Sequence, residues 1–158
     1  MADLCLAFDP GSSLSKGIYT LKPFKMEWLV MEPEVVQVPY VGIEQYESNR
    51  IGNPHPENQA WIERQGNYYA VGFLARKRFY GRVALKEVKY RQAVDKVLAM
   101  VGAIASSKRL PREFSLSLGI LLPFGEYEDR KRFKELMAEA LENFSFRGQL
   151  YRVKLEQF

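Results

Sequence analysis

The chain is predicted to be an α/β domain: a mixed five-stranded sheet with flanking helices and a small β-rich insertion. Three patterns in the sequence predict it. Strand-like stretches follow one another from the N-terminus, at residues 4–8, 15–21 and 25–32. Two long stretches with apolar steps of three and four, at 88–107 and 126–144, enclose an alternating stretch at 114–120. Between these groups lies a short aromatic hairpin pattern broken from its surroundings by proline and glycine. Strands followed by helix, strand and helix build a sheet with parallel crossovers rather than a sandwich.

Leu4, Cys5, Leu6, Ala7 and Phe8 are apolar at both parities, as in a central strand covered from both sides. Cys5 is then a core residue, with no histidine nearby in sequence to activate it as a nucleophile. Asp9, Pro10 and Gly11 stop the strand, since Pro10 fixes its own φ and Gly11 tolerates backbone angles and close approaches that other residues avoid. Residues 9–13 form a tight polar turn, 15–21 the returning strand, and 25–32 a third strand after a Lys22-Pro23 turn. From 33 to 60, prolines 33, 39, 54 and 56 with Gly42 and Gly52 break every period, so a loop-rich insertion is expected there, either a contact site or plain surface.

Residues 60–64 and 67–71 flank Gln65-Gly66 and read as a hairpin, with Trp61, Tyr68 and Tyr69 as cross-strand partners. Arg76-Lys77-Arg78-Phe79-Tyr80 interleaves cations with aromatics, which fits either stacking on nucleic-acid bases or a solvated helix face with inward aromatics. The helix at 88–107 presents Val94, Val97, Leu98, Val101 and Ile104 on one stripe, and Pro111 lies beyond its end. That at 126–144 presents Phe133, Leu136, Met137, Ala140, Leu141 and Phe144, with an acidic first turn suited to the positive end of the helix dipole. On the intervening strand Phe114, Leu116, Leu118 and Ile120 alternate with Ser115, Ser117 and Gly119, leaving a small-residue side for close helix packing or for a ligand. A last strand runs over residues 151–155.

Composition narrows the function classes. A 158-residue chain that is 47% apolar and 27% charged can bury one core. The net charge of +4 is small and scattered, so neither direct nucleic-acid binding nor a membrane role is expected. A single cysteine excludes an internal disulfide framework and fits a reducing cytoplasm, and no basic leader or membrane-spanning apolar run is visible. His55, the only histidine, sits between Pro54 and Pro56 with no second metal ligand beside it. Gly-x-x-x-x-Gly-Lys-Ser/Thr, Gly-x-Gly-x-x-Gly and His-Glu-x-x-His are all absent.

The chemistry concentrates in the first turn. Ser12 and Ser13 offer hydroxyls beside consecutive backbone N–H groups, an arrangement suited to an anion, and Lys16 can lean a cation over the same spot. Asp9 would repel a phosphate unless a hydrated cation such as Mg²⁺ lay between them. An ordinary Asp/Ser-capped turn is the simpler alternative.

Asp9-Pro10-Gly11-Ser12-Ser13-Leu14-Ser15-Lys16 resembles the first phosphate loop of the actin-like ATPases, whose pattern is Asp-x-Gly-Ser-x-x-x-Lys between the first two strands. Among these it is most similar to bacterial plasmid-segregation actins of the ParM/StbA kind. Residues 68–75 (YYAVGFLA) and 118–129 (LGILLPFGEYED) are similar to later segments of that family. The resemblance implies a ribonuclease H-like N-terminal lobe over 1–158, with a small insertion subdomain at about 33–86 and a second, C-terminal lobe absent from this chain. It implies ATP and Mg²⁺ as cofactors, with Gly11, Ser12, Ser13 and Leu14 around the β-phosphate and Lys16 on β and γ oxygens. Asp9 would be the catalytic residue, holding the metal through water. Self-association into filaments, an adaptor on plasmid DNA and a cytoplasmic location follow from the same resemblance. The family's catalytic Glu or Gln lies near Glu156 and Gln157, whose context is still strand, so the role is not given to them. A small-molecule kinase of the same superfamily, whose members usually carry Thr after the glycine, and a non-catalytic scaffold or regulator are the alternatives.

Overall fold

The structure, a computed structural model, describes residues 1–22, 25–80, 89–122 and 128–158. The opening strands are β1 (Leu4–Pro10), β2 (Ser15–Leu21) and β3 (Lys25–Met31), in antiparallel succession as expected. Pro23 of the expected turn lies outside the described residues. Next come β4 (Val35–Val38), α1 (Tyr40–Asn49), a 3₁₀ turn (Pro56–Asn58), β5 (Trp61–Arg64), β6 (Asn67–Val71) and α2 (Phe73–Arg78). The chain continues through α3 (Lys89–Lys108), β7 (Glu113–Ile120), α4 (Arg130–Glu142), β8 (Phe144–Phe146) and β9 (Gln149–Gln157).

The mixed sheet is present, but it has nine strands among the described residues rather than five, in the order β3-β2-β1-β7-β9-β8-β5-β6-β4. The additional strands join through β9. Its residues from Arg152 onward pair in parallel with β7, whereas Gln149 to Tyr151 pair with β8, which passes the ladder to β5. A β9 of nine residues is long enough to serve both neighbours. The loop-rich expectation for 33–60 is likewise corrected. Val35–Val38 pair with β6, and the segment after Pro39 is a ten-residue helix, because prolines at its flanks do not interrupt the interior. The 65–66 hairpin is as expected: Arg64 pairs with Asn67, and Gln65 and Gly66 have φ of 50° and 77°, the positive pair a two-residue turn needs.

α3 is buried around much of its circumference, from Ala93 to Ala105, and touches strands from both parts of the sheet. Its Gly102 lies against the Phe146 ring, so β8 sits close on the helix. Residue 88, the expected start, lies outside the described residues. α4 begins at Arg130, later than the expected residue 126, and residues 126 and 127 are not described. Its first turn carries Arg130, Lys131 and Arg132 and no acid, so the expected acidic first turn is corrected: Asp129 stands at the N-cap instead. Leu136 is exposed, and Phe144 is buried as the first residue of β8, not as helix.

The main core joins Leu4, Leu6, Phe8, Phe114, Leu116, Leu118 and Val153 of the sheet to α3 and to Phe133, Met137 and Leu141 of α4. A second cluster gathers Val38, Ile43, Trp61, Ala70, Leu74 and Ala75. Both helices lie on one side, as handedness requires. β1, β7 and β9 are parallel, and the crossovers through α3 and α4 move in the same direction across the sheet, so right-handed connections put both helices on one face. The expectation that β1 is covered from both sides is therefore corrected: among the described residues it is covered from one. Ala7 is exposed and Cys5 only half-buried, not a core residue. The small residues of β7 do not receive a helix either: a Cβ on Gly119 would meet nothing within 4 Å.

Candidate functional site

The residues of the first bend form a shelf at the carboxyl ends of the parallel strands. β1 runs through Asp9 to Pro10 before turning, and Asp9 stands opposite Lys16, Pro10 opposite Ser15. The bend itself is residues 11–14. The Leu121 N–H donates to the Phe8 carbonyl at 2.9 Å, which fixes the exit of β7 beside the exit of β1.

The turn is closed tightly enough to require its glycine. A Cβ on Gly11 would lie 2.5 Å from the Leu14 carbonyl oxygen and 3.8 Å from Asp9 Oδ1. Because the near atom is backbone, no rotamer change relieves that contact. Ser12, Ser13, Leu14 and Lys16 are exposed and Asp9 is half-buried. Among the described residues no side-chain hydrogen bond or ion pair engages Asp9, Ser12, Ser13 or Lys16. The two hydroxyls, the ammonium and the carboxylate expected from the sequence are thus brought to one edge with their polar atoms open to solvent. Such a donor set fits a polyphosphate with a hydrated divalent cation: cation and hydroxyls toward the anion, carboxylate toward the metal's water shell. The walls of an enclosed pocket are not provided by the turn alone, which is an exposed bend.

One residue at the turn escaped sequence reasoning. Ser15 is buried, and its Oγ has no hydrogen-bond partner among the described residues. Its inward parity between Leu14 and Lys16 was the available signal. Glu156 is exposed at the end of β9, and Gln157 Oε1 accepts from Ser117 Oγ at 3.1 Å, which ties that carboxamide to β7.

Elsewhere several polar pairs hold elements together. Asp95, buried on α3, is bound by Arg64 Nε at 2.6 Å. Burial pushes the Asp95 carboxyl above its ordinary range, against the pull of the arginine. Arg76 Nε holds the buried Glu34 at 2.7 Å, joining α2 to the start of β4. Arg76, Lys77 and Arg78 are exposed on α2, while Phe79 packs against the second cluster and Tyr80 is exposed, so one of the two aromatics turns inward. Asp3 accepts from the Ser115 N–H and Oγ at 2.9 and 2.8 Å, and these bonds hold its carboxyl below the ordinary value. No helix among the described residues is long and apolar enough to cross a membrane, and no group of three potential metal-binding side chains occurs among them.

This fold, with its bend at the strand ends, is the fold of one half of an actin-like filament protein. Solved structures it is similar to include ParM and AlfA proteins. One is the apo ParM of pSK41, with 14% identity and a TM-score of 0.64, over 98% of this chain and 47% of that one. Another is Bacillus thuringiensis ParM with ATP, at 13% identity and a TM-score of 0.64, over 99% and 44%. A third is AlfA from Bacillus subtilis plasmid pLS32 in its filament, at 11% identity and a TM-score of 0.62, over 98% and 54%. The chain therefore spans about half the length of the solved chains it matches. No protein-family model matches the sequence, and no curated protein does.

Proposed function

We propose that this chain is the N-terminal lobe of an actin-like, nucleotide-dependent filament protein that acts in plasmid or DNA segregation. The observation that carries the reading is the glycine-locked bend at residues 11–14, with Ser12, Ser13 and Lys16 open and Asp9 opposite Lys16. Its support is that the fold matches proteins solved with ATP, ADP and AMPPNP and as filaments. In this reading residues 33–86 are an insertion subdomain, its far end beyond the described residues, and a second lobe completes the nucleotide cleft.

The residues then divide the work by charge. Backbone N–H groups of Ser12, Ser13 and Leu14 hold the β-phosphate, and Gly11 lets the chain bend closely enough to offer them. Lys16 neutralises phosphate oxygens, and Asp9 orients water on the metal. Bound Mg²⁺ supplies charge neutralisation on the phosphates, and the protein's share is positioning and electrostatic stabilisation. Nucleotide-dependent head-to-tail association makes an open filament, since a heterologous contact need not close. An adaptor would connect the filament to plasmid DNA in the cytoplasm.

The test is amide chemical-shift mapping of the chain with MgADP. With one lobe only, binding is expected to be weak, with perturbations centred on residues 11–16 and abolished in Lys16→Ala. Saturating MgADP that shifts none of these amides, or shifts them equally in the variant, refutes the assignment.

A further inference from the structure

Ser15 is the first residue of β2 after the bend, and its hydroxyl points inward where Ser12 and Ser13 are open to solvent. The side chain lies on the buried face of the strand with Gly17 and Tyr19, and the residue is 2% exposed. Its cross-strand partners are Pro10 of β1 and Met31 of β3. Neither carries a strong side-chain donor or acceptor, and Pro10 has no N–H. The next position on the face is sealed, since a Cβ on Gly17 would collide with Met100 Sδ and α3 therefore sits directly on the strand. Ser15 Oγ accordingly has no hydrogen-bond partner among the described residues. A hydroxyl buried in that condition costs free energy that an alanine would not, so the empty chain gains nothing by holding it.

The bend supplies the missing partner once an anion is bound. A peptide unit is planar and trans, so the N–H of one residue points opposite to the carbonyl of the residue before it. Turning the N–H groups of Ser12, Ser13 and Leu14 outward onto one phosphate therefore turns the carbonyls of Gly11, Ser12 and Ser13 the other way, to the buried side of the bend. Carbonyls placed there need a donor. Serine hydroxyls bond carbonyls three or four residues back in the chain, which from Ser15 are those of Ser12 and Gly11. A side chain at Gly11 could not do this, because a Cβ there would already lie 2.5 Å from the Leu14 carbonyl oxygen.

We infer that Ser15 is a positioning residue of the bend: its buried hydroxyl donates to the inward-turned carbonyl of Gly11 or Ser12 in the nucleotide-bound arrangement and has no partner in the empty one. The inference rests on the nucleotide reading of the bend given above. Ser15 touches no phosphate and acts through the peptide planes that do. Its unpaired hydroxyl raises the free energy of the empty arrangement and not of the loaded one, and binding is tighter by the difference.

The experiment compares the parent chain with Ser15→Ala and Ser15→Thr in two measurements, urea unfolding of the empty chain and MgADP titration followed by the amide shifts of residues 11–16. Ser15→Ala should leave the urea midpoint of the empty chain equal or higher while weakening MgADP binding about five- to ten-fold, the worth of one hydrogen bond. Ser15→Thr keeps the hydroxyl and should bind within about two-fold of the parent. Stability and affinity then move independently, whereas a merely structural role lowers both together. In the loaded parent the Ser15 hydroxyl proton should also exchange slowly enough to be observed by NMR, and in the empty chain it should not. An alanine variant that binds MgADP as the parent does, with Lys16→Ala still abolishing the shifts, overturns the role of Ser15 and leaves the nucleotide reading standing. An alanine variant less stable than the parent while empty overturns it too, since the hydroxyl then has a partner without ligand. A parent that shows no shift at residues 11–16 refutes the nucleotide reading and the role of Ser15 with it.

Discussion

Replacing Gly102 by alanine sets two well-measured effects against each other. In the middle of a twenty-residue helix the change should help, since glycine is worse than alanine there by about 1 kcal/mol. The packing says otherwise. The new Cβ would lie 2.5 Å from Cγ and Cδ2 of Phe146 and 2.7 Å from its Cβ, so helix and ring must separate by about 1 Å to reach ordinary contact. Phe146 has little freedom to yield, being 2% exposed and on a three-residue strand paired on both sides, to β5 and β9. Overpacking costs about 1–3 kcal/mol, and against a ring held on both sides the cost lies at the upper end, about 2–3 kcal/mol, more than the propensity gained. The net expectation for Gly102→Ala is a loss of about 1–2 kcal/mol, or a fall in Tm of about 2–8 °C for a chain of this size. Urea unfolding followed by circular dichroism measures it. Phe146→Leu in the same background should recover part of the loss, giving a coupling of about 1 kcal/mol in the double-mutant cycle. A Gly102→Ala variant as stable as the parent, or more so, would refute the claim that α3 and β8 are in contact at this distance.

Three further outcomes are expected. Arg64→Ala should destabilise by about 3 kcal/mol, because it strands the buried Asp95 carboxylate, and Arg64→Met with Asp95→Leu should regain most of it in the same unfolding assay. Asp3 has its folded-state pKa lowered below 3.8 by the Ser115 hydrogen bonds, so its contribution is present above the unfolded value and lost as pH falls through the folded one. Acid unfolding curves of Asp3→Asn should accordingly lack that part of the pH dependence, with no corresponding change at neutral pH in slope. Gly11→Ala should leave far-ultraviolet circular dichroism unchanged while abolishing the MgADP-induced shifts at residues 11–16, because the displaced atom is the Leu14 carbonyl within an exposed bend.

The parts legible in the sequence were those governed by local period and turn chemistry. The first three strands, the Gln65-Gly66 hairpin and α3 follow from alternation, from a glycine at positive φ and from steps of three and four. The bend at Gly11 was legible too, because proline, glycine and two serines after an apolar strand have few other uses. What failed depended on distant pairing. Phe144 was absorbed into a helix since it continues the α4 spacing, and Phe146 was given to no element, although Arg147-Gly148, with φ of 50° and 79°, is a second two-residue hairpin turn. That missed hairpin joins the 60–71 strands to the main sheet, and with β4, hidden in the stretch expected to be loop, it accounts for nine strands in place of five. Covering β1 on both faces was inferred from Cys5 and Ala7, whose small apolar side chains do not distinguish a buried face from a bare one. Glu128 and Asp129 lie ahead of α4 rather than in its first turn because boundaries depend on capping geometry, which composition does not fix.

The double engagement of β9 has a mechanical consequence. One continuous backbone carries the ladder from the Trp61–Arg64 hairpin strand, by way of β8, to β7, whose far end is bonded to the last residues before the Asp9–Lys16 bend. Load applied at the hairpin is passed along covalent chain and lateral hydrogen bonds instead of across a hinge. The hairpin and the bend are thus harnessed together, and a pull on one is felt as tension at the other.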